Sequence, residues 1–175
     1  MEYPLTNWYV VQTISKQENN VKKKVDKIKL EGLITLLPMR RLCIKRKGRF
    51  LWELKPLFPG YFFINKKLDT SDIKQISRLD GVIKILKSNS QPVAVPEKDM
   101  KLIFSILDDE AYINESQAFY KNEKIFIKAG PLMNMEGYII AVDKRRKRIT
   151  VRLPFFNSYK EVQLSFELAE KVNKG

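Results

Sequence analysis

The apolar pattern of this chain changes period once, and that change limits what it can fold into. Up to residue 107, alternating segments are interleaved with segments whose apolar residues recur at helical spacing. From residue 121 only short alternating segments remain, separated by turn residues. A helix presents an apolar stripe and a sheet an apolar face, and each must be buried against a partner. The first block therefore predicts sheet covered by helices, and the second predicts sheet closed on sheet. The 175 residues suffice for two small domains.

Charge divides the chain at the same place. Residues 1–107 carry 21 Lys and Arg against 10 acids. Residues 108–120, DDEAYINESQAFY, carry 4 acids and no base, and residues 121–175 carry 12 bases against 6 acids. A short acidic stretch between two basic blocks reads as a linker. The expected organisation is a domain over 1–107, a linker over 108–120 and a second domain over 121–175.

Within the first block, Trp8–Thr13 (WYVVQT) reads as a strand, rich in aromatic and β-branched residues. Lys16–Glu31 reads as an amphipathic helix with Val21, Val25 and Ile28 on one face and Gly32 at its end. Leu33–Leu37 is a short strand. Then Leu42 and Ile44, followed by Phe50, Trp52 and Leu54, alternate about Lys47-Gly48, which predicts a basic β-hairpin. Cys43, the single cysteine, is expected as a buried strand residue. Tyr61–Ile64 reads as a central strand with Phe62 in the core, Thr70–Leu79 as a short helix and Val82–Leu86 as a strand. The last helix starts at Pro96, with Glu97 and Asp99 suiting its dipole and Met100, Ile103 and Leu107 facing inward. The fold class expected is α+β: an antiparallel sheet flanked by helices. In the second block, Lys124–Lys128, Gly137–Val142, Arg148–Leu153 and Glu161–Leu164 are short strands, which predicts a small all-β barrel.

Catalysis finds little footing in these residues. There is no histidine, which removes the commonest general base and metal ligand. One cysteine allows neither a disulfide framework nor a cysteine-rich metal site. No phosphate-cradling glycine loop and no metal-ligand spacing occur, so neither enzyme activity nor a cofactor is expected. The amino terminus has no signal-peptide pattern, and no apolar run reaches the roughly 20 residues of a membrane helix. A cytoplasmic monomer without a membrane partner is expected. The net charge of +13 points instead to polyanions, nucleic acid first.

Three segments carry a family resemblance: WYVVQT at Trp8–Thr13, PLFPGYFFI at Pro56–Ile64, and IFIKAGPLMNMEGYIIAVDKRRKRITV from Ile125 to Val151. The last resembles the KOW motif, with Gly130-Pro131 and then Gly137 before an apolar strand. Together they resemble the NusG superfamily, in which an NGN domain is linked to a KOW domain shaped as an SH3-like barrel. The resemblance implies a transcription elongation factor whose NGN domain holds the clamp helices of the largest RNA polymerase subunit. It implies a contact depression lined by Tyr9, Phe58, Pro59, Tyr61 and Phe63. Aromatic groups of this kind are effective protein anchors.

Two cationic clusters favour a specialised, LoaP-like antiterminator branch that recognises an RNA hairpin. Arg40, Arg41, Lys45, Arg46, Lys47 and Arg49 lie on the predicted hairpin, and Lys144, Arg145, Arg146, Lys147 and Arg148 in a predicted turn. Five consecutive cations repel one another unless an anion arrives. Tyr138, Phe155, Phe156 and Tyr159 could stack on unpaired bases. The alternative is a general factor that couples polymerase to a small-subunit ribosomal protein or to Rho, with Phe155 and Phe156 as the contact. Residues 121–175 are poor in helical spacing, so a permanent barrel is expected rather than a helical hairpin.

Overall fold

A computed structural model describes residues 3–169. The chain order is β1 (Trp8–Thr13), α1 (Glu18–Lys27), β2 (Ile34–Leu36), β3 (Met39–Arg46), β4 (Arg49–Pro56), β5 (Tyr61–Asn65), α2 (Thr70–Ser77), β6 (Val82–Ile85), β7 (Lys87–Ser88), β8 (Gln91–Pro92), α3 (Glu97–Ser105), β9 (Tyr112–Ile113), β10 (Ser116–Lys121), β11 (Lys124–Ala129), a 3-10 turn (Glu136–Tyr138), β12 (Ile139–Asp143), β13 (Arg148–Phe155) and β14 (Ser158–Leu168). The amino-terminal part is α+β, and the described residues of the carboxy-terminal third are strands with one 3-10 turn, as the periods predict. Among the described residues no helix is long and apolar enough to cross a membrane.

The amino-terminal sheet has the order β2-β5-β1-β6, with β5 and β1 inside. Both inner strands are apolar on both faces because both faces are covered. On one face Val11, Phe62 and Ile64 pack with Val21 and Val25 of α1 and Ile76 of α2. On the other, Trp8, Val10 and Phe63 pack with Met100 and Ile103 of α3. Helix α1 is shorter than the apolar spacing predicts. Lys29 and Gly32 take left-handed φ values of 49° and 71°, which stops the helix and lets Leu30 and Leu33 join the same cluster.

The hairpin β3–β4 pairs fully from Met39↔Pro56 to Arg46↔Arg49. Lys47 and Gly48 form its turn at φ 47° and 80°, the left-handed pair that matches strand twist. Cys43 is buried in β3. The acidic segment 108–120 carries strand: β9 pairs in parallel with β3, and most of β10 lies here too. The Asp108 carboxylate accepts from the backbone N–H groups of Glu110 and Tyr112 and from the Asn114 amide, which fixes this turn.

The carboxy-terminal sheet has the order β11-β10-β14-β13-β12. Its interior holds Ile149, Val151, Leu153, Val162, Leu164 and Phe166. Gly130 is required where the chain leaves β11. Its φ is 96°, and an added Cβ would lie 2.8 Å from the Ser116 Cα.

One buried carboxylate organises the turn that presents Phe58, Pro59 and Tyr61. Glu18 is 4% exposed. Its Oε1 accepts the Gly60 N–H at 2.5 Å and the Lys16 N–H at 3.1 Å. The Gly60 carbonyl in turn accepts the Thr13 N–H at 2.8 Å. Removing the carboxylate leaves a buried N–H unpaired. Glu18→Ala is expected to lower stability by about 1.5–3 kcal/mol, measured by urea unfolding of the whole chain.

Candidate functional site

The sheet face opposite α1 positions most of the predicted aromatic contact. Strand parity puts Tyr61 and Phe63 on the same face of β5, and Phe58 joins them from the preceding turn. Phe58 and Phe63 meet edge to face with ring centroids 6.0 Å apart. Pro59 is exposed at the rim. Tyr9 is not part of this group. It alternates with Trp8 and Val10, so its side chain packs on the α1 face with Val11 and Phe62.

This aromatic group is covered from within the chain. β13 and β14 pair to their tips, where Phe155 faces Ser158 across a two-residue turn. Phe156 and Asn157 occupy the turn at φ 42° and 56°. The tip drives Phe155 onto the amino-terminal sheet. Its ring lies 4.8 Å from Phe58, 4.9 Å from Tyr61 and 6.5 Å from Phe63. The Lys160 ammonium sits over both Tyr61 and Phe155, at 4.8 and 4.9 Å. Phe155 is 7% exposed, so this arrangement turns it inward, while Phe156 stays partly open and Tyr159 is 66% exposed.

Polar contacts continue the seam. The Cys43 N–H donates to Ser165 Oγ at 3.0 Å, and Arg40 Nη1 to the Gln163 carbonyl at 2.7 Å. Arg148 donates to the Cys43 carbonyl at 2.8 Å and to Gln163 Oε1 at 3.2 Å. The composition of the chain gives no signal for Gln163 or Ser165; they matter only because β14 lies beside β3.

The predicted cations divide by environment. Lys144 lies 4.1 Å over the Tyr120 ring. Arg146 is held by Asp143, through its backbone N–H at 2.9 Å and its guanidinium at 3.8 Å. Arg46 pairs with Glu53 at 2.8 Å. Lys47 and Arg49 stand exposed at the hairpin turn, beside Arg46 and Leu51. Arg145, Arg146 and Arg148 meet Lys45 and Phe50 across a groove of about 680 Å³. Burial, and next the charge of Arg148, hold the Arg40 guanidinium down to about 10, below its ordinary value. Burial also lowers Arg148. Among the described residues no cluster of three or more metal-ligating side chains occurs.

A family model described as "Transcription termination factor nusG" matches residues 6–104. The "Transcription termination/antitermination protein NusG" of Rickettsia prowazekii is 27% identical over 171 residues, which span 94% of this chain and 89% of that protein. The protein of the same name from Borreliella burgdorferi is 26% identical over 181 residues, spanning 94% and 98%. A solved structure described as "Domain interaction in Thermotoga maritima NusG" is similar in fold, with a TM-score of 0.57 at 22% identity over 91% of this chain and 93% of that one. The matched model covers more than half of the sequence, and the relatives run nearly end to end. The chain belongs to the NusG family of transcription termination and antitermination factors.

Proposed function

We propose that the chain acts as an antitermination factor with two contacts. Residues 1–107 hold the clamp helices of the largest RNA polymerase subunit through Phe58, Pro59, Tyr61 and Phe63. Basic residues Lys144–Arg148, with Arg46, Lys47 and Arg49, hold a hairpin in the transcript. Segment 108–120 joins the polymerase-binding part to the domain over 121–175. The clamp contact keeps the polymerase in its closed, elongating state.

The observation that carries this reading is the aromatic group on the sheet face. Its cover is a hairpin tip from the far end of the sequence, packed on it through Phe155. Large apolar groups with such a cover suit a protein anchor. The general NusG reading, with Phe155 and Phe156 as a ribosome or Rho contact, draws support from their place at a hairpin tip.

The test immobilises a clamp-helix peptide and flows the whole chain across it. Saturable binding is expected, weakened about tenfold or more by Tyr61→Ala, in line with a buried aromatic anchor. Failure of the wild-type chain and of an undocked variant to bind would remove the polymerase contact. RNA is tested by fluorescence anisotropy over a salt series, hairpin against unstructured RNA. Equal weak binding to both, vanishing as salt rises, would favour the general factor.

A further inference from the structure

The two basic clusters lie about a hundred residues apart in sequence, yet the fold sets members of both on opposite walls of one groove. The hairpin supplies Lys45 and Phe50, and the turn between β12 and β13 supplies Arg145, Arg146 and Arg148. Phe50 marks the junction: the Lys45 ammonium lies 5.7 Å from its ring centroid and the Lys147 ammonium 5.8 Å. Each wall therefore places one cation on the same ring.

The electrostatics of this junction are unfinished. Arg40 and Arg148 face each other in the seam, and neither forms an ion pair among the described residues. Both Nε atoms are buried without a hydrogen-bond partner. Among the described residues Asp143 is the one acid lining the groove, and Arg146 already engages it. Like charges in a partly dehydrated site repel strongly. Docking brings them together because apolar contact at Phe155 and the hydrogen bonds of the seam offset that repulsion. An anion in the groove, beside Arg148, would reduce it.

The cations also extend beyond the groove. Arg46, Lys47 and Arg49 line a separate depression of about 740 Å³ at the hairpin turn, with Arg46 and Arg49 on the other face of the hairpin from Lys45 and Phe50. A lone ion would use one wall of the groove. A run of phosphates uses both walls, and an A-form stem is gripped through its backbone.

We infer that cations from the two clusters form one composite site, an interdomain groove that grips the phosphate backbone of an RNA stem and exists only while the carboxy-terminal sheet is docked on the amino-terminal one. This rests on the proposed RNA binding and adds that docking builds the site. Neither wall alone presents the full set of cations, so separation leaves each wall to hold only part of the phosphates.

The experiment measures a labelled, fully paired RNA stem-loop binding to the intact chain and to two undocked variants, by anisotropy over a salt series. Phe155→Glu and Tyr61→Glu each place a charge in the apolar contact, one from each side, and neither lines the groove. Small-angle scattering confirms separation, and circular dichroism confirms retained strand. Expected is a fall of about tenfold or more in affinity near physiological salt for both variants. The slope of log K against log salt should become shallower by roughly 0.9 for each phosphate that the separated chain no longer neutralises. Unchanged affinity and slope in a separated, folded variant would overturn the composite groove while leaving RNA binding in place. No binding by the intact chain at low salt would overturn both.

Discussion

Oxidation of a Ser165→Cys variant is expected to abolish binding to the clamp helices, and reduction to restore it. Cys43 and Ser165 face each other across the seam, with the Cys43 N–H 3.0 Å from Ser165 Oγ. Such proximity suits the Cα spacing of about 4.4–6.8 Å that a disulfide needs. Cys43 is the sole native cysteine, so the bridge has one possible partner. Once formed, it holds β14 against β3 and Phe155 over Phe58, Tyr61 and Phe63. A ligand for that face then has no open form to select. RNA affinity should persist in the locked chain, because locking preserves the groove. The measurement is clamp-helix binding and RNA anisotropy on oxidised and reduced protein. Oxidised protein that binds clamp helices as tightly as reduced protein would show that the contact lies elsewhere.

Phe155→Glu should act in the opposite sense on polymerase. The apparent affinity of a site that opens only part of the time is its intrinsic affinity reduced by the open fraction. Phe155 touches three aromatic rings and is nearly buried. Truncating a buried Phe costs about 3–5 kcal/mol, and a charge in its place adds desolvation. Even half of that, taken from the docked state, raises the open fraction roughly tenfold or more. Clamp-helix affinity should rise accordingly until the open form dominates. The same variant should bind RNA more weakly, as the composite groove requires. A misfolded chain would lose both activities, so opposite changes in the two titrations separate undocking from damage. Coupling of this kind is reciprocal: a saturating RNA stem should weaken clamp-helix binding by the factor that clamp helices weaken RNA.

Much of the fold is legible in local pattern. The shift from mixed periods to pure alternation marks the change from α+β to all-β structure. Lys47-Gly48 marks the hairpin turn, because a tight turn needs left-handed backbone that Gly supplies freely. Pro96 and the acids after it mark the start of α3. The segment 108–120 is less legible. Its strands are short and polar on one side, and they form because β3 and β14 offer edges to pair with.

The site is legible residue by residue and not as an arrangement. Phe58, Tyr61 and Phe63 share a face because Phe63 follows Tyr61 by two residues, a parity the sequence carries. Tyr9 belongs to a strand buried on both faces, where Trp8, Tyr9, Val10 and Val11 are all apolar. Parity leaves no trace in such a run, so only the register against β5 decides which way Tyr9 points. The five consecutive cations declare an attraction for anions through charge alone. That Arg148 enters the seam while Lys144 lies over Tyr120 depends on where β13 begins and what β14 lies beside.

Sequence by itself determined the two fold types, their order, the polyanion-seeking charge and the aromatic segment, since each follows from spacing and composition over a few residues. Tertiary structure alone decided that Phe155 closes the aromatic face and that members of two distant basic clusters line one groove. Both depend on contacts between segments roughly a hundred residues apart, and no local period records which distant surface a side chain will meet.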